Sequence, residues 1–153
     1  NTLGGYMIYH LSSTNLDNKI LKPRVPKNFF IDRGFEEGTT PRVCFSTSID
    51  GSLAGLSQNI EGKEFYVHIP EGKIKYYQPN NVPDSKITKE VWVKEPVKLK
   101  CLGIIKVGKA VEKPHEFKYG GKYIAELYFW NWKWKSKTVP IINEFLDILL
   151  TLH

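Results

Sequence analysis

The chain has 153 residues, a size at which one hydrophobic core buries roughly 70% of the unfolded surface without disulfide or metal staples. Hydrophobic residues make up 41% and charged residues 25%, which excludes a disordered segment, and 13% aromatics favour sheet over helix bundle. A net charge of +6 suits an anionic partner such as a dinucleotide or a nucleic acid, although solvated lysines with no such partner account for this balance more often.

No run approaches the roughly 18 apolar residues of a membrane span, and no basic stretch followed by an apolar one opens the sequence, so the expectation is a cytoplasmic protein with no membrane partner. Cys44 and Cys101 sit in apolar runs and are expected to be reduced, buried thiols.

In chain order, residues 6–11 (Tyr-Met-Ile-Tyr-His-Leu) read as a first, largely buried strand with His10 near its end, followed by a polar turn at residues 12–15. Residues 21–41 form a long irregular stretch rich in Pro and Gly. Arg42 to Ser46 read as a short strand, and Ser48 caps a helix with Ile49, Leu53 and Leu56 at helical spacing. Residues 64–69 form the next strand, and residues 74–77 fit a short one. Residues 90–93 and 97–107 are two close apolar runs, either a hairpin or one strand continuing past a bend at Pro96.

Residues 128–135 alternate with period two and put Trp130, Trp132 and Trp134 on one face, while Pro140 opens an amphipathic helix over residues 141–152. These elements predict one domain over residues 1–153, of α+β class and mainly β, with six or more strands and one or two helices.

The histidines at 10, 68, 115 and 153 have no metal-ligand spacing, so no metal is expected. Gly-rich phosphate loops, nucleophile elbows and dinucleotide-binding glycine fingerprints are missing, which disfavours the common nucleotide folds and hydrolase sites. What remains is an ordered series: Tyr9-His10-Leu11-Ser12, then Val43-Cys44-Phe45-Ser46-Thr47-Ser48 running into a helix, then Lys89-Glu90-Val91-Trp92-Val93.

Over about residues 6–108 this series resembles the ADP-ribosyltransferase superfamily, in particular the small rifamycin-inactivating enzymes and, more distantly, the poly(ADP-ribose) polymerases. The resemblance implies a mainly β fold of split antiparallel sheets and NAD as substrate. Glu90 becomes the catalytic acid, because a carboxylate beside the ribose stabilises the oxocarbenium-like centre formed when the nicotinamide bond breaks. It further implies that His10 hydrogen-bonds the adenosine ribose, that the backbone at Leu11 grips the carboxamide, and that Ser46 supports the nicotinamide wall. Ser12 and Cys44 complete the cofactor-binding set.

The chain departs from those families at Cys44, where they carry Tyr, and at Leu11, where they carry Gly. The rifamycin-type acid falls near Gln78, so Glu90 has to replace it.

Each residue has a plainer reading beside the functional one: His10 as a satisfied buried histidine, Glu90 as a solvated strand-end carboxylate, Ser46 as a turn cap. The tryptophan face reads as sheet core before base stacking. The ranked expectation is an NAD-dependent ADP-ribosyltransferase acting on an acceptor selected by variable loops at residues 22–41 and 109–122. Second comes a catalytically silent protein of the same fold that binds a nucleotide or protein partner, and third a basic nucleic-acid-binding module.

Overall fold

The computed structural model describes residues 7–25, 40–56, 59–79, 88–111, 115–119 and 122–138. Strands β1 (His10–Ser12), β2 (Ile20–Leu21) and β3 (Val43–Ser46) lead into helix α1 (Ile49–Ala54). Then follow β4 (Glu64–Pro70), β5 (Glu90–Val93), β6 (Val97–Ala110), β7 (His115–Tyr119), β8 (Lys122–Leu127) and β9 (Trp130–Lys137). The main sheet runs β1-β4-β6-β2 with β9 also on β6, and β3–β5 and β7–β8 form two separate ladders. Every strand pairing among the described residues is antiparallel, so the class is α+β and mainly β.

Two apolar clusters explain why β6 is so long. Its first part contributes Val97 and Leu99 to a cluster with Ile8, Val43, Phe45, Val91 and Val93. Its second part contributes Leu102, Ile105 and Val107 to a cluster with Leu53, Phe65, Val67 and Trp130. Period-two alternation alone would keep Val97, Leu99, Ile105 and Val107 on one face. The register against β4 slips at Leu102, between the pairs Val67↔Gly103 and His68↔Cys101, and this bulge turns the later odd positions to the other face. Gly103 carries the distortion at a φ of 145°, and a Cβ there would collide with the Ser136 carbonyl oxygen on β9.

Helix α1 forms as its sequence predicts. The Ser48 hydroxyl caps it by accepting from the Gly51 amide at 2.9 Å, and Ile49 and Leu53 are buried. Leu56, expected on the same apolar face, lies beyond the helix end at Gly55 and is exposed.

Other expectations need correction. Of the expected first strand, residue 6 lies outside the described residues; residues 7 and 8 are not in a strand, Tyr9 is in a bridge, Ile8 is in the core, and β1 itself runs from His10 to Ser12. Residues 74–77 form no strand; only Tyr77 pairs, in a bridge to Trp92. β5 and β6 form neither a hairpin nor one continuing strand: β5 ends at Val93 and pairs with β3, while β6 begins at Val97, after Pro96, and pairs with β4. Residues 109–122, expected to be a variable loop, hold the end of β6, all of β7 and the start of β8. Most of the stretch at residues 22–41 and the whole expected helix at residues 141–152 lie outside the described residues. Among the described residues no helix is long and apolar enough to cross a membrane.

Candidate functional site

The three motifs, up to 81 positions apart in the chain, meet at one end of adjoining strands. Tyr9 exchanges main-chain hydrogen bonds with Ser46, from Tyr9 N to Ser46 O at 2.8 Å and from Ser46 N to Tyr9 O at 2.9 Å. Ser46 in turn pairs with Glu90, so Tyr9, just before β1, forms one row with Ser46 of β3 and Glu90 of β5.

Beyond this row β1 and β3 part, because Tyr9↔Ser46 is an isolated bridge rather than the start of a ladder. The His10 ring spans the opening instead, with Nδ1 3.0 Å from the Cys44 carbonyl oxygen. A carbonyl only accepts, so Nδ1 carries the proton and Nε2 of the neutral ring is an acceptor. Burial holds His10 below the usual histidine pKa, partly offset by that hydrogen bond. Peptide groups alternate between the two edges of a strand, so Leu11, like Tyr9, turns its N–H and C=O toward β3. With β1–β3 pairing ended at Tyr9, those groups face the opening.

His68 supports β1 from the other side. It is fully buried and in register with His10, and its Nε2 accepts from the Leu16 amide at 2.9 Å while Nδ1 donates to the His10 carbonyl oxygen at 3.2 Å. Only the neutral Nδ1–H tautomer makes both bonds, and burial accordingly lowers its pKa.

Glu90 begins β5 and is half-buried. Its backbone is locked from the α1 side: the Ser46 hydroxyl donates to the Thr88 carbonyl oxygen at 2.6 Å, and Thr47 N donates to Lys89 O at 3.1 Å. A Cβ on Gly51 would collide with that same carbonyl and lie 2.7 Å from Ser46 Oγ, so only glycine lets α1 approach. Lys89 is forced to a φ of 56°, a left-handed conformation that a non-glycine residue holds only when its surroundings impose it. The Glu90 carboxylate accepts from Trp92 Nε1 at 3.0 Å.

Ser46 is buried and its hydroxyl is joined to Thr88, so it braces the strand end from behind. His10 and Glu90 do not share one face of the ladder: Tyr9, Ser46 and Glu90 lie on one side by register, and His10, the next residue, points to the other, its ring 5.7 Å from Phe45. His10 and Glu90 thus lie on the two sides of a strand-end opening rather than in one common cleft. Cys44 is in register with Trp92 on the Glu90 side, and Ser12 ends β1 with its hydroxyl 3.2 Å from Thr14 Oγ1.

Sequence reasoning missed Trp92 and Lys89. The Glu90-x-Trp92 spacing, which puts both side chains on one strand face, was a usable signal; nothing in the sequence marks Lys89.

Among the described residues no three His, Cys, Asp or Glu side chains are grouped to hold a metal ion. Comparison with protein-family models, curated proteins and solved structures finds no match to this chain.

Proposed function

We propose that the protein is an NAD-dependent ADP-ribosyltransferase whose dinucleotide lies across the strand-end opening between β1 and β3. The observation that carries this reading is the parting of β1 from β3 directly after the Tyr9–Ser46 bridge, which turns the main-chain groups of Leu11 into the opening beside the row that ends in Glu90. A carboxamide needs one acceptor and one donor from main chain, and Leu11 supplies both.

His10 Nε2, an acceptor in the neutral ring, suits a ribose hydroxyl. Glu90 then stands by the nicotinamide ribose: the C–N bond breaks, nicotinamide leaves with the electron pair, and the carboxylate stabilises the cationic sugar until the acceptor's nucleophile closes on it. A strained, braced backbone before Glu90 is what preorganisation of such a group requires.

A second reading, a silent binder of a nucleotide or protein partner, is favoured by one observation: His10 and Glu90 emerge on opposite sides of the ladder. Titration calorimetry of NAD into the parent protein and His10→Ala tests the binding half of the proposal. The expected result is one site in the parent, weakened about tenfold in the variant, as loss of a ribose hydrogen bond predicts. No heat from NAD with either protein, both folded, rejects the dinucleotide site.

A further inference from the structure

We infer that Trp92 is the positioning residue of Glu90: its indole N–H orients the carboxylate and keeps it ionised, and Arg42 stacked on the indole strengthens that donor. This rests on the transferase reading for its catalytic meaning, while the coupling itself stands on geometry.

Glu90 and Trp92 lie two positions apart in β5, on one face, with Nε1 3.0 Å from Oε2. Trp92 is buried and cannot swing away. Its main chain pairs with Cys44 on one edge and exchanges two 2.8 Å hydrogen bonds with Tyr77 on the other. Arg42 shares the face of Cys44 and Ser46, and its guanidinium carbon lies 4.3 Å from the Trp92 ring centroid. A cation over the ring draws electron density from it and makes the N–H a stronger donor to the carboxylate beyond. Arg42 is itself buried, with Nη1 donating to the Thr40 carbonyl oxygen at 3.2 Å, so the stack is fixed from both ends.

A carboxylate that stabilises a cation only in the transition state gains from being fixed and ionised beforehand. An indole is suited to this: it donates one hydrogen bond, never accepts, and has no proton to exchange with the carboxylate in the working pH range.

The first measurement uses no ligand. In 1H–15N spectra of the parent protein across the acid range, the assigned Trp92 indole resonance should shift as the Glu90 carboxyl titrates, and that response should vanish in Glu90→Gln. The second is a cycle on nicotinamide release. Trp92→Phe should lower turnover about tenfold, leave NAD affinity within about twofold, and move the acid limb of the rate profile to higher pH, because the ionised form has lost its donor. With Gln at position 90 the same Trp92→Phe change should have no further effect.

An indole resonance indifferent to Glu90, or Trp92→Phe slowing turnover equally with Glu or Gln at 90, overturns the inference. Should the parent neither bind NAD nor release nicotinamide, the transferase reading falls, and the indole titration still decides whether Trp92 holds Glu90.

Discussion

His68 shows how one side chain ties chemistry to stability. Its ring must accept from Leu16 at Nε2, and protonation would place a second donor against that amide inside a fully buried site. Its folded pKa lies below the unfolded value, held there by burial and by neighbouring His10, with the His10 carbonyl and Asp17 pulling the other way. A depressed histidine pKa favours the neutral folded form, so its contribution is fully present above the unfolded value near pH ~6.5 and is lost as pH falls below it. His10, also depressed, adds in the same direction. Urea unfolding should therefore give constant stability from neutral to mildly alkaline pH and a decline below about pH 6.5. In His68→Gln, where the amide can accept from Leu16 and donate to His10, the decline should become shallower at a cost of about 1 kcal/mol near neutrality. A decline of unchanged slope in the variant would assign the acid sensitivity to other groups.

Among elements, β6 carries the fold. The bulge at Leu102 lets one strand serve two cores, and it depends on Gly103 in a conformation that side-chain-bearing residues rarely adopt, pressed against β9. Gly103→Ala should lower the unfolding free energy by about 2 kcal/mol or more, seen as a lower urea midpoint at unchanged slope. Unaltered stability would mean that the β6–β9 contact yields without cost.

Local signals made β3, α1, β4, β5 and β9 legible in the sequence: alternation in residues 130–135, the Ser48 cap, the apolar run 64–69. The β7–β8 ladder escaped although Gly120-Gly121 between two short runs is a hairpin signal, because the resemblance suggested a loop there. Partner choice was not legible at residues 90–107, since alternation specifies a strand and its faces but not which distant segment completes it. The site was half legible for the same reason. Glu90, His10 and Ser46 could be picked out, but whether two of them share a face depends on register between distant strands, and the bracing by Thr88 and Lys89 depends on tertiary contact alone.

At the scale of the whole molecule the aromatic strand β9 pairs with β6 rather than with β1, β3 or β5, which carry the candidate site. Trp130 is buried in the core, Trp132 and Trp134 pack against it, and the Trp132 indole donates to Asp50 on α1 at 2.8 Å. The lysines at 133, 135 and 137 are exposed, and Lys135 is paired with Glu64 at 2.8 Å. Trp132 and Trp134 are half-buried and packed against that core, so the expected consequence of Trp132→Ala is lost stability rather than a lost nucleic-acid affinity. NAD affinity should change little between low and physiological salt, whereas a site built on several phosphate contacts loses orders of magnitude over that range. Tight single-strand binding with a steep salt slope, abolished in folded Trp132→Ala, would contradict this account.

If Glu90 stabilises a cationic ribose in the opening beside Leu11, nicotinamide release from NAD is the reaction that reads it out. Parent protein and Glu90→Gln are compared at saturating NAD, with a cell extract supplying acceptors and chromatography counting nicotinamide. Release by the parent is expected, with a loss of roughly a hundredfold or more in Glu90→Gln and NAD affinity nearly unchanged, the signature of a group that acts in the transition state. Equal release by the two proteins, or NAD bound by the parent with no nicotinamide formed in any extract, would contradict that role.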